Sequence, residues 1–217
     1  MKVFIDLCAG LGGASQAFVI DPEWLVIRLD NNPDLKPFVP GLNVADVTDV
    51  DATLTLVDAI LRIHGLNQSN ITKLVVWASP PCVEFSLAYN APGPTAARNG
   101  EEHYPDMSIM EACHRLIELW SPDHWWIENV RGAIPHFKLT LGDWTQQVGS
   151  FFLWGQHPQI AFKDNQTRYL KKVDKRHDQM RAQLRAKVPL EISQAIKDSI
   201  DRQLNLTSFG VGVEPGA

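Results

Sequence analysis

Apolar residues recur along the chain in short unbroken runs separated by stretches of helical spacing. Val3 to Leu7, Trp24 to Leu29, Lys73 to Ala78 and His124 to Val130 are almost continuously apolar, as expected of strands covered on both faces of a parallel sheet. Leu42 to Ala45 reads as a short third strand, Ser150 to Trp154 as a sixth and Gln159 to Phe162 as a candidate seventh. Helical spacing is read over residues 14–20, 49–63, 107–120 and 189–204. In the second of these Val50, Leu54, Val57, Ile60 and Leu61 share one side, and in the last Ile192, Ala195, Ile196 and Ile200 do. Strands alternating with helices predict an α/β domain built on a doubly wound, mostly parallel sheet. Residues 88–107 hold Pro92, Gly93, Pro94, Gly100 and Pro105 without periodicity; a loop of that length in a compact domain predicts a functional segment.

The polar chemistry gathers where the predicted strands stop. Ser79, Pro80 and Pro81 end the fourth strand and deliver Cys82 on a stiff loop at its carboxyl end, where open α/β sheets place their ligands. The first strand runs into Ala9-Gly10-Leu11-Gly12-Gly13, a turn whose glycines permit positive φ and close approach of a ligand. The second ends in Asp30-Asn31, with Asp30 seventeen residues beyond Gly13, near the position at which a nucleotide-binding α/β unit offers a carboxylate to ribose hydroxyls. The third ends at Asp46 and the fifth at Glu128-Asn129. Glutamate suits a buried strand poorly, so Glu128 is expected to be a paired structural acid or a site group on the same rim as Cys82.

Composition narrows the function class. With 217 residues, 45% hydrophobic and 21% charged, the chain is expected to form one domain over 1–217 with a full core. No apolar run reaches membrane-spanning length, and Asp6 interrupts the start before a signal core can form, so a cytoplasmic protein with no membrane partner is expected. Cys8, Cys82 and Cys113 are odd in number and lack a CxxC pair, which suggests neither a disulfide framework nor a metal site. The net charge of −5 conceals a segment, residues 163–188, with nine Lys or Arg against three Asp. Such a stripe is either a phosphate-binding surface or a solvated helix face.

Taken in order, Asp6-Leu7-Cys8-Ala9-Gly10-Leu11-Gly12-Gly13, Ser79-Pro80-Pro81-Cys82-Val83-Glu84-Phe85-Ser86 and Glu128-Asn129-Val130 resemble the signature of the cytosine-C5 DNA methyltransferases: a DxxxGxGG cofactor loop, a PC loop ending in FS, and an ENV strand end. Val188-Pro189-Leu190-Glu191-Ile192 is similar to that family's last motif. The resemblance implies a Rossmann-like S-adenosylmethionine-dependent methyltransferase fold and a DNA substrate with a flipped cytosine. It implies Cys82 and Glu128 as catalytic residues, and Asp6, Leu7, Gly10, Leu11, Gly12, Gly13, Asp30, Asn31, Asp46 and Pro80 around the cofactor. Ser79, Pro81, Ser86, Asn129 and Arg98 would serve the substrate, with Tyr89 or Tyr104 able to fill a vacated stack.

The chain also departs from that pattern. The interval between the sixth-strand motif and the last motif is too short for a target-recognition domain, so a compact, phage-type enzyme is implied. In it Lys171, Lys172, Lys175 and Arg176 of the basic segment would grip DNA backbone. The family's QxRxR-like arginines are replaced by Gln147-Val148-Gly149-Ser150, which leaves the donor to the cytosine carbonyl unidentified. Arg168 is one candidate, and Arg185-Ala186 stands where the family has Gly-Asn. Two alternatives stay open: methylation of a free cytosine nucleotide or of RNA, and a non-catalytic cofactor-binding remnant.

Overall fold

A computed structural model describes residues 1–162 and 181–208. Seven strands, β1 (Lys2–Leu7), β2 (Trp24–Asp30), β3 (Leu42–Val44), β4 (Lys73–Ala78), β5 (His124–Asn129), β6 (Gln146–Val148) and β7 (Phe151–Trp154), form one sheet in the order β3-β2-β1-β4-β5-β7-β6. The first five are parallel and β7 is antiparallel to both of its neighbours. This order, with its reversed seventh strand, is the Rossmann-like methyltransferase fold.

Register explains why the strands are apolar throughout. Side chains of one parity, Val3, Ile5, Leu7, Ile27, Leu29, Val76 and Ala78, pack beneath α2 (Val50–Ile63), α4 (Ser108–Trp120) and α5 (Ile134–Leu141). The other parity, including Phe4, Val75, Trp77 and Trp126, packs against α1 (Gln16–Val19) and α7 (Leu190–Ser208) through Phe18, Ile192, Ile196 and Ile200. Helices on both faces leave no residue of β1, β2, β4, β5 or β7 exposed, whereas Val44 in β3 and Gln147 in β6, on the two edge strands, are exposed. Cys113 is buried in α4.

Local chemistry sets several boundaries. Asp49 caps α2 by accepting the amide of Ala52, an N-cap that satisfies one orphan donor. Three expectations are corrected. The helix read over residues 14–20 shrinks to the single turn of α1, because Ser15 and the glycines before it serve the loop beneath. The predicted structureless stretch 88–107 contains α3 (Pro92–Asn99), where Pro92 and Pro94 fall in the first turn, a region with no intrahelical use for their missing N–H, and Gly100 closes the helix in the left-handed region. Gln159 to Phe162 is not a strand. Instead Gln146 uses its side-chain amide as a substitute strand, donating to Ile160 O at 2.7 Å and accepting Ile160 N at 2.9 Å. Neither α5 nor β6 is foreshadowed in the sequence pattern, the latter being only three residues long.

Candidate active site

The register brings the carboxyl ends of the central strands to one rim. Leu7 lies opposite Leu29 on one side and Ala78 on the other, and Ala78 lies opposite Ile127. The ladder continues one step beyond the strands through Ala9 N to Leu29 O at 2.9 Å and Ser79 N to Leu7 O at 3.1 Å. The glycine loop, the Cys82 loop and Glu128 are therefore held side by side by main-chain bonds.

Cys82 opens a 3-10 turn, Val83–Phe85, directly after the two prolines. Its loop is tied to β5 from below: buried Asn129 donates from Nδ2 to Pro80 O at 3.0 Å and accepts Val130 N on Oδ1 at 2.9 Å. The next turn presses on the same loop. A β-carbon on Gly132 would strike the carbonyl oxygen of Phe85 and lie 3.1 Å from its carbonyl carbon, so only glycine lets the β5 turn come this close. The half-buried Cys82 thiol is pushed up by burial and by the Glu128 carboxylate, while the charge of Arg185 pulls it down.

Glu128 is buried, and its carboxyl is raised to about 7 by desolvation, with the Ser79 hydroxyl acting in the opposite direction. Trp77 donates its indole N–H to Ser79 Oγ at 2.7 Å, which occupies an acceptor position on Ser79 and leaves the hydroxyl hydrogen free to turn towards Glu128. A carboxyl of this kind is protonated in a large fraction of molecules near neutrality, so it can donate a proton as well as accept a hydrogen bond.

At the end of β2 Asp30 accepts Gly10 N on Oδ2 at 2.8 Å and Asn32 N on Oδ1 at 2.9 Å, fixing the glycine loop against that strand. The glycines divide by use. Gly10 has φ +52° and open space where a β-carbon would stand, whereas one on Gly12 (φ +64°) would lie 2.8 Å from Arg28 Nε. One on Gly13 would strike Val188 O and lie 2.7 Å from Val188 N. Only the first thus faces outward; the other two let the chain pack on itself. Arg28, buried in β2, donates to Ser15 Oγ, Gly12 O and Pro40 O, and so supports the loop from beneath. Beside it Asp6 is buried with Oδ2 lacking a partner, and its carboxyl is raised to about 7 by burial against the opposing effects of Ser15 and Arg28.

The remaining residues singled out from the sequence lie around this centre. Leu7 is core, Leu11 packs on the small cluster of Ala9, Leu35, Val39 and Leu42, and Asn31 is exposed. Asp46 is exposed, and its carboxylate is held low by Thr48, whose hydroxyl and amide both donate to it. Pro81 is exposed, and Ser86 accepts Ala88 N. Arg98 is placed over the ring of Tyr89 at 3.8 Å and donates to Tyr89 O at 2.6 Å, while Tyr104 is exposed and bonded to Glu102. Lys171, Lys172, Lys175 and Arg176, like Arg168, lie outside the described residues. Sequence reasoning missed Gly132, which carries no signal of its own, and the supporting part played by Arg28, whose signal was a charge inside an otherwise apolar strand.

No family model matches the chain, and no curated protein matches it. Among solved structures it is similar to a protein provisionally described as a DNA modification methyltransferase encoded within an E. coli prophage, at 18% identity and a TM-score of 0.42, covering 72% of this chain and 47% of that one. The chain thus spans about half the length of that protein. No described helix is long and apolar enough to cross a membrane.

Proposed function

We propose that this protein transfers a methyl group to C5 of cytosine in DNA, with Cys82 as nucleophile and Glu128 as acid. The observation that carries the reading is the pairing, on one rim of a methyltransferase-type sheet, of a thiol with a buried carboxyl raised to about 7. C5 of cytosine is a weak nucleophile. Addition of the Cys82 thiolate at C6 moves the C5=C6 pair to C4=C5 and the C4=N3 pair onto N3, which takes the proton held by Glu128. The same carboxyl then accepts from the exocyclic amine, an arrangement that uracil, with its hydrogen at N3 and carbonyl at C4, cannot match. When C5 takes the methyl group the C4=C5 pair forms the new bond, the N3 pair returns to C4=N3 and N3 gives its proton back to Glu128; C5 then loses its hydrogen as a proton to water, and the C6–S bond breaks as C5=C6 is restored with release of the Cys82 thiolate. A base inside a duplex cannot reach a thiol at the end of a strand, so it has to be extruded.

S-Adenosylmethionine, when bound, supplies an electrophilic methyl group. The donor set fits such a group: Gly10 is open where a side chain would block approach, and a buried carboxylate oxygen of Asp6 is orphaned below the loop. Gly10 to Gly13 with Asp6, Leu7, Leu11 and Pro80 would hold its amino-acid end, Asp30 and Asn31 its ribose and Asp46 its adenine edge. Ser79 orients Glu128, and Asn129 holds the Cys82 loop.

The experiment that tests the reading measures methyl transfer from a tritium-labelled donor to duplex DNA, tRNA and dCMP, together with covalent trapping by 5-fluorocytosine DNA. Duplex DNA is expected to be the best acceptor, and Cys82→Ser is expected to abolish turnover and trapping while keeping cofactor binding. Faster transfer to dCMP than to DNA would replace the substrate class, and turnover by Cys82→Ser would remove the covalent mechanism.

A further inference from the structure

Of the arginines whose side chains are described, Arg62, Arg98, Arg115, Arg131, Arg202 and Arg185 of α6 (Arg181–Ala186) are exposed, and Arg28 alone is buried, at 7% exposure. Its hydrogen bonds, to Ser15 Oγ at 2.8 Å, Pro40 O at 3.3 Å and Gly12 O at 3.4 Å, all go to neutral oxygens, and a guanidinium has five N–H groups to give. Asp6 is the one acid whose charge acts on it. That carboxyl is raised to about 7, so near neutrality it is uncharged in a large fraction of molecules. A buried guanidinium stays charged and is costly to hold without a counter-charge.

Arg28 is also the charged member of a cleft. Trp24, Val26 and Arg28 alternate along β2 and so share one face of the sheet, and with Val19 of α1 and Pro40 they line a space of about 140 Å³. The cleft exists because its cover is short. α1 has four residues, and β3 pairs with β2 only from Arg28 to Asp30, so among the described residues Trp24 to Ile27 have no strand on that side. Trp24 is 6% exposed and packs edge-on against Phe18, with ring centroids 4.8 Å apart; its indole Nε1 has no acceptor. Both lining side chains that carry N–H groups are thus short of acceptors, and the rest of the lining is apolar.

We propose that this cleft is a second ligand site, which takes a small carboxylate with an apolar body: the carboxylate on Arg28, the body among Val19, Trp24, Val26 and Pro40. An organic oxyanion supplies both the counter-charge that Arg28 lacks and acceptors for its unused N–H groups. The apolar walls decide between anions. Inorganic phosphate brings more charge than one guanidinium compensates and turns its remaining oxygens towards groups that cannot hydrogen-bond them, whereas the body of an organic acid gains by leaving water. Val19, Trp24, Val26 and Pro40 are not among the residues proposed for methyl transfer, so the site does not rest on that reading. The guanidinium that would hold the ligand also holds Gly12 O and Ser15 Oγ, so ligand and glycine loop share one anchor.

Calorimetric titration of the full chain at fixed ionic strength tests this with three probes: sodium benzoate, its neutral isostere benzamide, and inorganic phosphate. Benzoate is expected to bind one equivalent with a Kd of about 1 mM, ordinary for a ligand of its size. Benzamide, without the charge, is expected to bind at least about 10-fold more weakly, and phosphate more weakly than benzoate. Val19→Trp fills the cleft from a half-exposed helix position and leaves Arg28 with its three hydrogen bonds. It is expected to weaken benzoate binding by about 10-fold or more with Tm little changed. Equal affinity for benzamide and benzoate would remove Arg28 as the anchor, and tighter binding of phosphate would make the cleft an inorganic oxyanion site. Benzoate binding unchanged in Val19→Trp would place the anion elsewhere. Each of these overturns the proposal, as does the absence of saturable benzoate binding up to about 20 mM. The benzoate and benzamide titrations are made on wild type, so they decide the question even where Val19→Trp fails to fold. Methyl transfer takes no part in them, and failure of the functional reading leaves their outcome unaffected.

Discussion

Asn129 donates its side-chain amide to the carbonyl of Pro80 across 3.0 Å of buried space, so the last residue of β5 holds the loop that presents Cys82. Because Asn129 also accepts Val130 N, both ends of its amide are occupied by backbone. Asn129→Ala is expected to leave these groups unpartnered at a cost of about 1–3 kcal/mol, which for a chain of this size lowers Tm by roughly 2–4 °C per kcal/mol. Asn129→Asp keeps the acceptor for Val130 N but loses the donor to Pro80 O. Calorimetry on the two variants, with unchanged stability in both, would show that the loop is held elsewhere.

The pH profile of kcat/KM follows from the two raised groups. In the proposed mechanism Glu128 must be protonated and Cys82 ionised at the moment of addition, yet the carboxyl is raised to about 7 and the thiol lies above its usual range. Below pH about 7 the rate rises with the thiolate. Between the two pKa values the rise in thiolate is cancelled by loss of protonated Glu128, giving a plateau, and above the thiol pKa the rate falls. In Glu128→Gln the residual activity, lower by on the order of two decades, is expected to climb through pH 7 without that plateau. A break at 7 that survives in the glutamine variant would assign it to another group.

Asp6 makes stability depend on pH. Its carboxyl titrates at about 7 in the folded protein against about 4 in an unfolded chain. Its favourable contribution is complete below the unfolded pKa, and it is lost as the pH rises towards 7, because the unfolded state then releases a proton that the folded state retains. Between pH 4 and pH 7.5 the stability of wild type relative to Asp6→Asn is expected to fall by about 4 kcal/mol. Urea denaturation across that range checks it, and parallel curves for the two proteins would contradict the burial of an unpartnered carboxyl.

If DNA is the substrate and no recognition domain reads its bases, affinity has to come from phosphate charge. Reversing Lys171, Lys172, Lys175 and Arg176 is expected to weaken binding to unrelated duplexes alike, with the slope of log affinity against log salt falling by about 0.9 for each phosphate that is no longer neutralised. An unchanged slope would make the stripe a solvated surface.

The amino-acid sequence by itself determined the strands and where they stop. Apolar runs such as Lys73 to Ala78 need cover on both faces, and residues such as Pro80, Pro81 and the glycines of 10–13 carry their backbone restrictions with them, so the rim positions of Cys82, Glu128 and Asp30 were legible in one dimension. Short or irregular elements were not. β6 is three residues, α3 begins with two prolines, and the pairing of Ile160 is made by the side chain of Gln146, none of which leaves a periodic trace. Only the tertiary structure decided which glycines face outward, since Gly12 and Gly13 are required by Arg28 and Val188, groups sixteen and 175 residues away. It likewise pressed Gly132 on Phe85, because close approach between distant segments is set by how the layers stack and not by any local preference of the residues that meet.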